Sequence, residues 1–531
     1  MWRETPGKGV FVCIHPARVL YHTLVWAILS NYTMYDSVLT SSGYSRPTSG
    51  RGRALAFGAL LLSGAAALAP YPAQAEGLME ALTAAYETSP VLDAQRAALR
   101  ATDETVSQAL SGWRPSVSLN SAYGRHAIRT EQPLTFVGRG GGISNDRVVS
   151  PITSEIKLTQ PIYRGGRTQS SVRQAEAGIL AGRELLLSAE QSVLLSAITA
   201  YMDVQRDKAV VDLSKNQVEV LDRQLQATQD RFRVGEITRT NVAQSEARLS
   251  SAVSNLTATE AALIASNSAY EKVIGHQPAG LEPPPPFPEL PPTEEEAQAK
   301  AMDRNPQLRA ALEAERASAH AVRAEIGKLL PTVALEASAR IAQDTGSQGL
   351  EQDEAVVTAL LQVPLYESGA VYASVRQTRE INSQRRLEAA QARRQVIEGV
   401  RNAWEALRST RARIVSDKEA VRANEIALEG VRQEADVGAR TTLDVLDAEQ
   451  ELLNARVALV RSQRNEVVAV YGLMSVTGNL TAGDLGLAVT AYDPVQHYDE
   501  VRTKLIGTRA NTSVEVPATA DGVPATGNSG K

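Results

Sequence analysis

The chain has 531 residues, and its 55 basic residues against 60 acidic ones give a formal net charge of -5. This balance leaves no polybasic field for nucleic acid, so we exclude that class of partner. Only 5% of the residues are aromatic, and Ala, Gln, Glu, Arg and Leu dominate the middle of the chain, a composition typical of long helices.

The first 75 residues are predicted to be a signal region that is removed. Arg51 and Arg53 precede an apolar run at 54–69, and "AQA" follows, which places the cleavage site after Ala75. The stretch before Arg51 is unusual in length, and Met34 is a candidate start. We identify no other run of about 18 apolar residues, so we predict an exported protein without a membrane-spanning helix.

The single cysteine, Cys13, lies in this signal region. The mature chain is therefore expected to have no disulfide, no thiolate nucleophile and no lipidated cysteine at its start. The periplasm, the exterior and an outer-membrane β-structure all remain open as destinations.

The rest of the chain is a tandem duplication. Two pairs of prolines are 216 positions apart: Pro90 with Pro306, and Pro115 with Pro331. Four later pairs are 203 positions apart: Pro161 with Pro364, Gly166 with Gly369, Gly235 with Gly438, and Gly275 with Gly478. The change in spacing falls between Pro115 and Pro161, where "GRGGGIS" is predicted to be a flexible loop at a hairpin tip.

We predict a first repeat at 76–277, a proline-rich linker acting as a semi-rigid spacer at 278–297, and a second repeat at 298–488. The polar tail at 489–531 is expected to be disordered. Each repeat is expected to contain a helix of about 22 residues, a β-hairpin, a long helix and a return helix. The predicted ranges are 113–163 and 329–366 for the hairpins, 167–234 and 370–437 for the long helices, and 241–274 and 444–477 for the return helices.

The hairpin strands alternate apolar and polar residues, as in Val117 and Leu119 against Ser118 and Asn120. This pattern fits a barrel wall between lipid and water, and equally a half-buried sheet in a soluble domain. The long helices have apolar residues at spacings of three and four, which indicates coiled coils about 100 Å long. Four strands cannot close a barrel in lipid, so the barrel interpretation requires a homo-oligomer.

The segment "DVGARTTLDVLDAEQEL" places Asp444 and Asp447 three residues apart, on one face of a helix. Such a pair can serve acid/base chemistry, bind a cation, or lie in solvent. The six histidines are scattered, and neither a zinc-binding pattern, nor a nucleophile elbow, nor a phosphate loop occurs. We therefore predict no enzymatic activity, no metal site and no cofactor.

With its duplicated plan and the segments "QPIYRGG", "RVGEITRTNV" and "DVGARTTLDVLDAEQEL", the chain resembles the TolC family of outer-membrane efflux and secretion channels. The resemblance implies a mainly α fold with a small β part: a homotrimer with a 12-stranded β-barrel in outer-membrane lipid and an α-helical tunnel in the periplasm. It implies a passive exit duct for small molecules, for type I protein secretion, or for both. The implied partners are a periplasmic adaptor protein and an inner-membrane efflux pump or ABC exporter. The alternative is a soluble periplasmic coiled-coil scaffold or adaptor.

The resemblance also implies roles for residues at the two turns. Val234 and Gly235, with Val437 and Gly438, match the periplasmic tips that contact the adaptor. Asp444 and Asp447 match two aspartates that form a selectivity ring at the tunnel entrance. Arg440 matches a gate latch whose partners fall at Thr240 and Asn241. Asn241 stands where the best-known member has an acidic partner, and Ala435 stands where it has the gate tyrosine, so we expect a closed state that is held more weakly or by other contacts.

Overall fold

The computed structural model describes residues 76–134 and 141–508, which form two compact units. The strand unit consists of Leu110–Ser170 and Arg323–Val375, and the helical unit contains the rest of the described chain. The predicted signal region, including the cleavage site at Ala75, lies outside the described residues. Residues 509–531 of the tail also lie outside the described residues.

The helices follow the duplication. Two helices of 67 residues each dominate, α3 at Arg167–Arg233 and α7 at Ala370–Asp436, and each is roughly 100 Å long. The other helices are α1 Leu78–Thr88, α2 Pro90–Leu110, α4 Arg239–Ile274, α5 Glu294–Arg304, α6 Pro306–Ile326, α8 Thr442–Val476 and α9 Gln496–Arg502.

Only one helix of about 22 residues was expected before each β-hairpin, and this corresponds to α2 or α6, so the short helices α1 and α5 were not predicted. Eleven residues carry too little periodicity to be identified alone, and packing stabilises them instead. Leu78 and Leu82 of α1 and Ala297 and Ala301 of α5 are buried. Helix α5 begins inside the predicted linker, and Leu281 of the linker packs against the core. The segment predicted as a semi-rigid spacer is therefore packed as part of the helical unit.

In both repeats, a side chain at the end of the first short helix donates a hydrogen bond to the last carbonyl of the return helix. The Thr88 hydroxyl, at the end of α1, donates to the carbonyl of Ile274 at the end of α4 (2.9 Å). The Asn305 amide, at the end of α5, donates to the carbonyl of Val476 at the end of α8 (2.9 Å). The Asn305 side chain also caps α6 by accepting from the backbone N–H of Leu308 (3.1 Å), as expected for an N-cap before a proline.

Two main apolar cores hold the helical unit together. The first joins α1, α3, α4 and α8 around Leu82, Ile198, Tyr201, Tyr270 and Tyr471. The second joins α5, α6, α7 and α8 around buried residues such as Val400 and Leu473. The return helix α8 contributes to both cores, so the second repeat is anchored on the first.

One window of 18 residues in α3 is apolar enough to cross a membrane by length and composition, with a mean hydropathy of 1.3. The sequence analysis had identified no such window. Of this window, 56% is buried inside the protein, which is the behaviour of a core helix. This window is therefore weak evidence for a membrane-spanning helix.

The strand unit contains six strands within the described residues, not the four expected. They are β1 Ser116–Tyr123, β2 His126–Leu134, β3 Gly141–Val149, β4 Ile152–Arg164, β5 Thr332–Gln343 and β6 Glu351–Gln362. Each arm of the first hairpin breaks once, at Gly124 and at Pro151, and the Gly124 N–H donates to the Pro151 carbonyl (3.1 Å). Proline has no N–H for a ladder, which explains a break at this level. The first four residues of β3, Gly141 to Ser144, belong to the segment predicted as a flexible loop.

The strands form a four-stranded antiparallel sheet in the order β1-β4-β5-β6 and a separate β2-β3 ladder. The register aligns apolar residues in rows across the larger sheet. One row is Val117, Leu158, Ala337 and Val357. The adjacent row, on the opposite face, is Ser118, Lys157, Ser338 and Val356. The sheet therefore has an apolar face and a mainly polar face, since directly opposed residues share a face.

The tail is ordered further than its composition indicated. Helix α9 packs through Val501, which is buried, and His497 contacts the Asp103 carboxylate of α2 (3.0 Å). The prediction of disorder from residue 489 was therefore wrong up to residue 508. Composition alone could not identify the partners on α2 that order this segment.

Candidate functional site

The candidate site lies at the turns that join the long helices to their return helices. Gly235 and Gly438 follow α3 and α7 with φ values of 81° and 77°, a left-handed conformation that favours glycine. In each turn a backbone N–H reaches back five residues, from Glu236 to Arg231 (3.0 Å) and from Ala439 to Glu434 (2.8 Å). These bonds satisfy the last carbonyls of the helices, as in a Schellman motif.

The turns present apolar side chains to solvent. Val234 and Val437, one residue before each glycine, are both 79% exposed. Burying a valine side chain stabilises a contact by about 1.5–3 kcal/mol, so these two residues are suited to contact another protein.

Helices α3 and α4 form one helical hairpin and helices α7 and α8 form a second, and the turn ends of these two helical hairpins contact each other within the helical unit. Leu221, Ala252 and Leu446 form a small buried cluster between them. The Arg231 guanidinium lies 3.4 Å from the Asp436 carboxylate, and the Asn241 amide donates to the Thr442 hydroxyl over 3.5 Å.

Asp444 takes part in the N-terminal cap of helix α8, whose N-cap residue is Thr441. Its carboxylate accepts from the Thr441 N–H (2.9 Å) and from the Thr441 hydroxyl (2.8 Å), while the Asp444 N–H donates to that hydroxyl. This reciprocal arrangement is a capping box. The hydrogen bonds from Thr441, followed by the nearby charge of Arg440, lower the pKa of Asp444. The carboxylate therefore stays ionised at neutral pH.

Asp447 lies one turn further along and is 54% exposed. Its carboxylate pairs with the guanidinium of Arg248, which belongs to helix α4 of the first helical hairpin. The sequence analysis missed Arg248, because the pairing joins residues 199 positions apart and depends on how the hairpins pack.

Arg440 binds within its own turn. Its Nε donates to the Glu434 carboxylate (2.7 Å), which raises the pKa of Arg440. The structure shows no bond from Arg440 to Thr240 or Asn241, the partners expected from the resemblance, among the described residues of one chain. Asn241 instead accepts from the Thr238 hydroxyl (2.7 Å).

The described residues contain no group of three or more His, Cys, Asp or Glu side chains placed to hold a metal ion. The charged groups at the turns are partly or fully exposed and are bound by single partners or a helix cap. This arrangement can attract or repel ions and can contact a partner.

Comparison with known proteins identifies the family. The family model described as outer membrane efflux protein matches residues 81–276 and 298–479. The chain is 34% identical over 453 residues to the outer membrane efflux protein BepC of Brucella suis, covering 85% of this chain and 96% of BepC. It is 25% identical over 454 residues to the outer membrane protein TolC of Escherichia coli, covering 80% of this chain and 86% of TolC.

The fold is also similar to that of the solved outer-membrane channel OprN. The TM-score is 0.67 at 18% identity, over 76% of this chain and 89% of OprN. This likeness confirms the predicted fold class, a mainly α protein with a small β part. Together with the two matched segments, which cover both repeats, these similarities confirm the resemblance to TolC: the chain belongs to the outer membrane efflux protein family.

Proposed function

We propose that three copies of this protein form a passive channel across the outer membrane, with the strand unit in the membrane and the helical unit in the periplasm. The observation that carries the proposal is the sheet β1-β4-β5-β6, whose outer strands β1 and β6 each have one edge without a partner strand in the described chain. Unpaired backbone groups are not tolerated in lipid, so other copies must complete the sheet.

The number of strands supports three copies. Two copies of the four-stranded sheet would supply eight strands, and the interior of an eight-stranded barrel is only wide enough for side chains to fill. Three copies supply twelve strands and leave room for a water-filled lumen, in agreement with the trimer that the resemblance implies.

The two faces of the sheet suit this placement. The row containing Val117 and Val357 would face lipid, and both residues are exposed in the single chain. The opposite face carries the ion pair between Lys157 and Glu336 (2.9 Å), which suits an aqueous interior.

The family is a family of channels, and we propose that this protein has no catalytic activity of its own. Transport then requires an energised inner-membrane pump or exporter and a periplasmic adaptor. We propose that the exposed Val234 and Val437 contact the adaptor. The name of the relative BepC, outer membrane efflux protein, favours efflux, and secretion of an unfolded polypeptide is the second outcome to test.

At the entrance, three copies of Asp444 and Asp447 would place six carboxylates around the opening, which attracts cations and repels anions. The pairing of Asp447 with Arg248 offsets part of this charge, so Asp444 would contribute more of the selectivity. For Arg440 to act as a latch, it would exchange Glu434 for Thr240 or Asn241 of another copy. Arg440→Ala should then change the single-channel conductance, and an unchanged conductance would exclude the latch.

The membrane placement is tested by two substitutions at adjacent positions of β5. Ala337→Asp puts a charge on the apolar face, whereas Ser338→Asp puts the same charge on the polar face, opposite Lys157. A lysine or arginine facing lipid costs about 2–4 kcal/mol near the bilayer centre, and an aspartate costs less but is still unfavourable. We expect Ala337→Asp to abolish the heat-modifiable oligomer in the outer-membrane fraction and Ser338→Asp to preserve it.

Recovery of the wild-type protein in the soluble periplasmic fraction would support the scaffold alternative and contradict the channel. For the substrate, a deletion strain is compared with strains that carry each variant. Increased drug susceptibility, rescued by Ser338→Asp and not by Ala337→Asp, indicates efflux. A change confined to the secreted proteins indicates secretion.

A further inference from the structure

The residue that follows the predicted cleavage site is held in a buried site of the helical unit. Glu76 is only 9% exposed. Its backbone N–H donates to the Gly280 carbonyl (2.9 Å), and its carbonyl accepts from the Glu282 N–H (3.1 Å). Glu76 is therefore paired on both sides with the segment that joins the two repeats.

The side chain of Glu76 is bound as closely as its backbone. One carboxylate oxygen accepts from the Tyr270 hydroxyl (2.6 Å), and the other lies 3.0 Å from Nε2 of His276. The single hydroxyl proton of Tyr201 is shared between the carbonyls of Glu76 (2.9 Å) and Glu282 (2.7 Å).

The donors in this site are fixed by the core around them. Tyr201 and Tyr270 are fully buried members of the first apolar core. Burial, followed by the charge of Glu76, raises the pKa of Tyr201 to about 12, and burial together with the Glu76 hydrogen bond raises the pKa of Tyr270. Both hydroxyls therefore stay protonated and can donate to Glu76.

Two carboxylates lie in this part of the helical unit. The Glu282 carboxylate lies 4.0 Å from the position that a Cβ on Gly77 would occupy, and the Glu76 carboxylate lies on the same residue as the nitrogen. Nε2 of His276 contacts the Glu76 carboxylate, and the His276 side chain is 46% exposed. An additional positive charge at the Glu76 nitrogen would be attracted by both carboxylates.

We infer that leader removal between Ala75 and Glu76 creates that charge, and that the new α-ammonium group of Glu76 is held in this site by the Gly280 carbonyl and by the charge of the Glu282 carboxylate. A leader peptidase would break the C–N bond by hydrolysis. Water supplies a hydroxyl to the Ala75 carbonyl carbon and a proton to the Glu76 nitrogen, which then binds a second proton at neutral pH. Processing thereby anchors the mature N-terminus, independently of what the channel transports.

The test measures how fast the α-amine of the purified full-length protein reacts with an acetyl succinimidyl ester at pH 7, by mass spectrometry of the N-terminal peptide. We expect this peptide to begin at Glu76 and its amine to be protected. Tyr270→Phe removes one hydrogen bond to the anchoring carboxylate, so the amine should react roughly tenfold faster. Tyr471→Phe is the matched control, because Tyr471 is buried in the same core without contacting Glu76, and it should react at the wild-type rate.

Glu282→Gln keeps the test decisive if Tyr270→Phe does not fold, since Glu282 is exposed and the substitution removes only its charge. We expect faster labelling in this variant as well. A mature chain that begins at another residue overturns the inference. Equal labelling rates in wild type and Glu282→Gln, or an equal acceleration by Tyr471→Phe and Tyr270→Phe, also overturn it.

Discussion

The connection between β4 and α3 provides a matched pair of glycines for a quantitative test. Gly165 and Gly166 have φ values of 61° and 73°, so both lie in the left-handed region. A Cβ added to Gly165 would lie 2.3 Å from the Gly327 carbonyl oxygen and 2.8 Å from Cβ of Leu330, whereas one added to Gly166 meets nothing within 4 Å. Alanine at either position has the same backbone strain, but only alanine at Gly165 also clashes.

The geometry sets the size of the two effects. A left-handed conformation costs a residue with a Cβ about 1–2 kcal/mol, so Gly166→Ala should destabilise the protein by about that amount. At Gly165 the contact of 2.3 Å must lengthen to about 3.4 Å, where ordinary contacts begin. Backbone movement of that kind adds about 1–3 kcal/mol. Gly165→Ala should therefore cost about 2–5 kcal/mol.

Urea unfolding in detergent, followed by the helical circular dichroism signal, measures both values. Asparagine variants separate the two causes, because asparagine tolerates positive φ better than alanine. Gly166→Asn should recover part of the loss, while Gly165→Asn should not, since its Cβ meets the same carbonyl. Equal destabilisation by Gly165→Ala and Gly166→Ala would refute the close backbone approach.

Three further outcomes are expected. Burial raises the pKa of Glu190 in the folded protein above its usual 4.5, against a weaker opposing effect of the hydrogen bond from the Ala482 N–H. The contribution of Glu190 to the free energy of unfolding is therefore fully present below pH 4.5 and is lost as the pH rises through the pKa of the folded state. Glu190→Gln should become more stable relative to wild type as the pH rises from 4.5 to 7, and a pH-independent difference in urea unfolding would contradict this. Leu194 is fully buried, and Leu194→Ala should lower the free energy of unfolding by about 2–5 kcal/mol, unless the cavity collapses, which a loss below 1 kcal/mol would indicate. The cation selectivity is measured as a reversal potential across a KCl gradient. Asp447→Asn should lower this selectivity, and Arg248→Ala should raise it. Shifts of the same sign in the two variants would be incompatible with the pairing of these residues at the entrance.

The periodic parts of the fold were readable because local chemistry determines them. The constant spacing from Gly235 to Gly438 placed the two turns, and the structure ends α3 and α7 within two residues of these glycines. A glycine can adopt positive φ without a partner elsewhere in the chain. The length of each long helix follows from the absence of proline between its ends.

The candidate site was only partly readable. The positions of Asp444 and Asp447 on one helix face follow from their spacing, and the Thr441 cap follows a local pattern. The partner of Asp447 does not, because Arg248 reaches it through the packing of two hairpins. Likewise, the interaction of Arg440 with Glu434 depends on the shape of the turn.

The sequence by itself determined the duplication, through the constant spacing of matched residues. It also determined the turns, the long helices and the alternation of the strands, since each of these depends on residues close together in the chain. Only the tertiary structure decided which groups those elements bring together. It paired β1, β4, β5 and β6 into one sheet with an apolar face. It also ordered the tail up to residue 508 through the contact of His497 with Asp103. It also enclosed Glu76 between Tyr270 and the linker. These contacts join residues up to 394 positions apart, and no local pattern specifies them because their stability comes from burial in the folded chain.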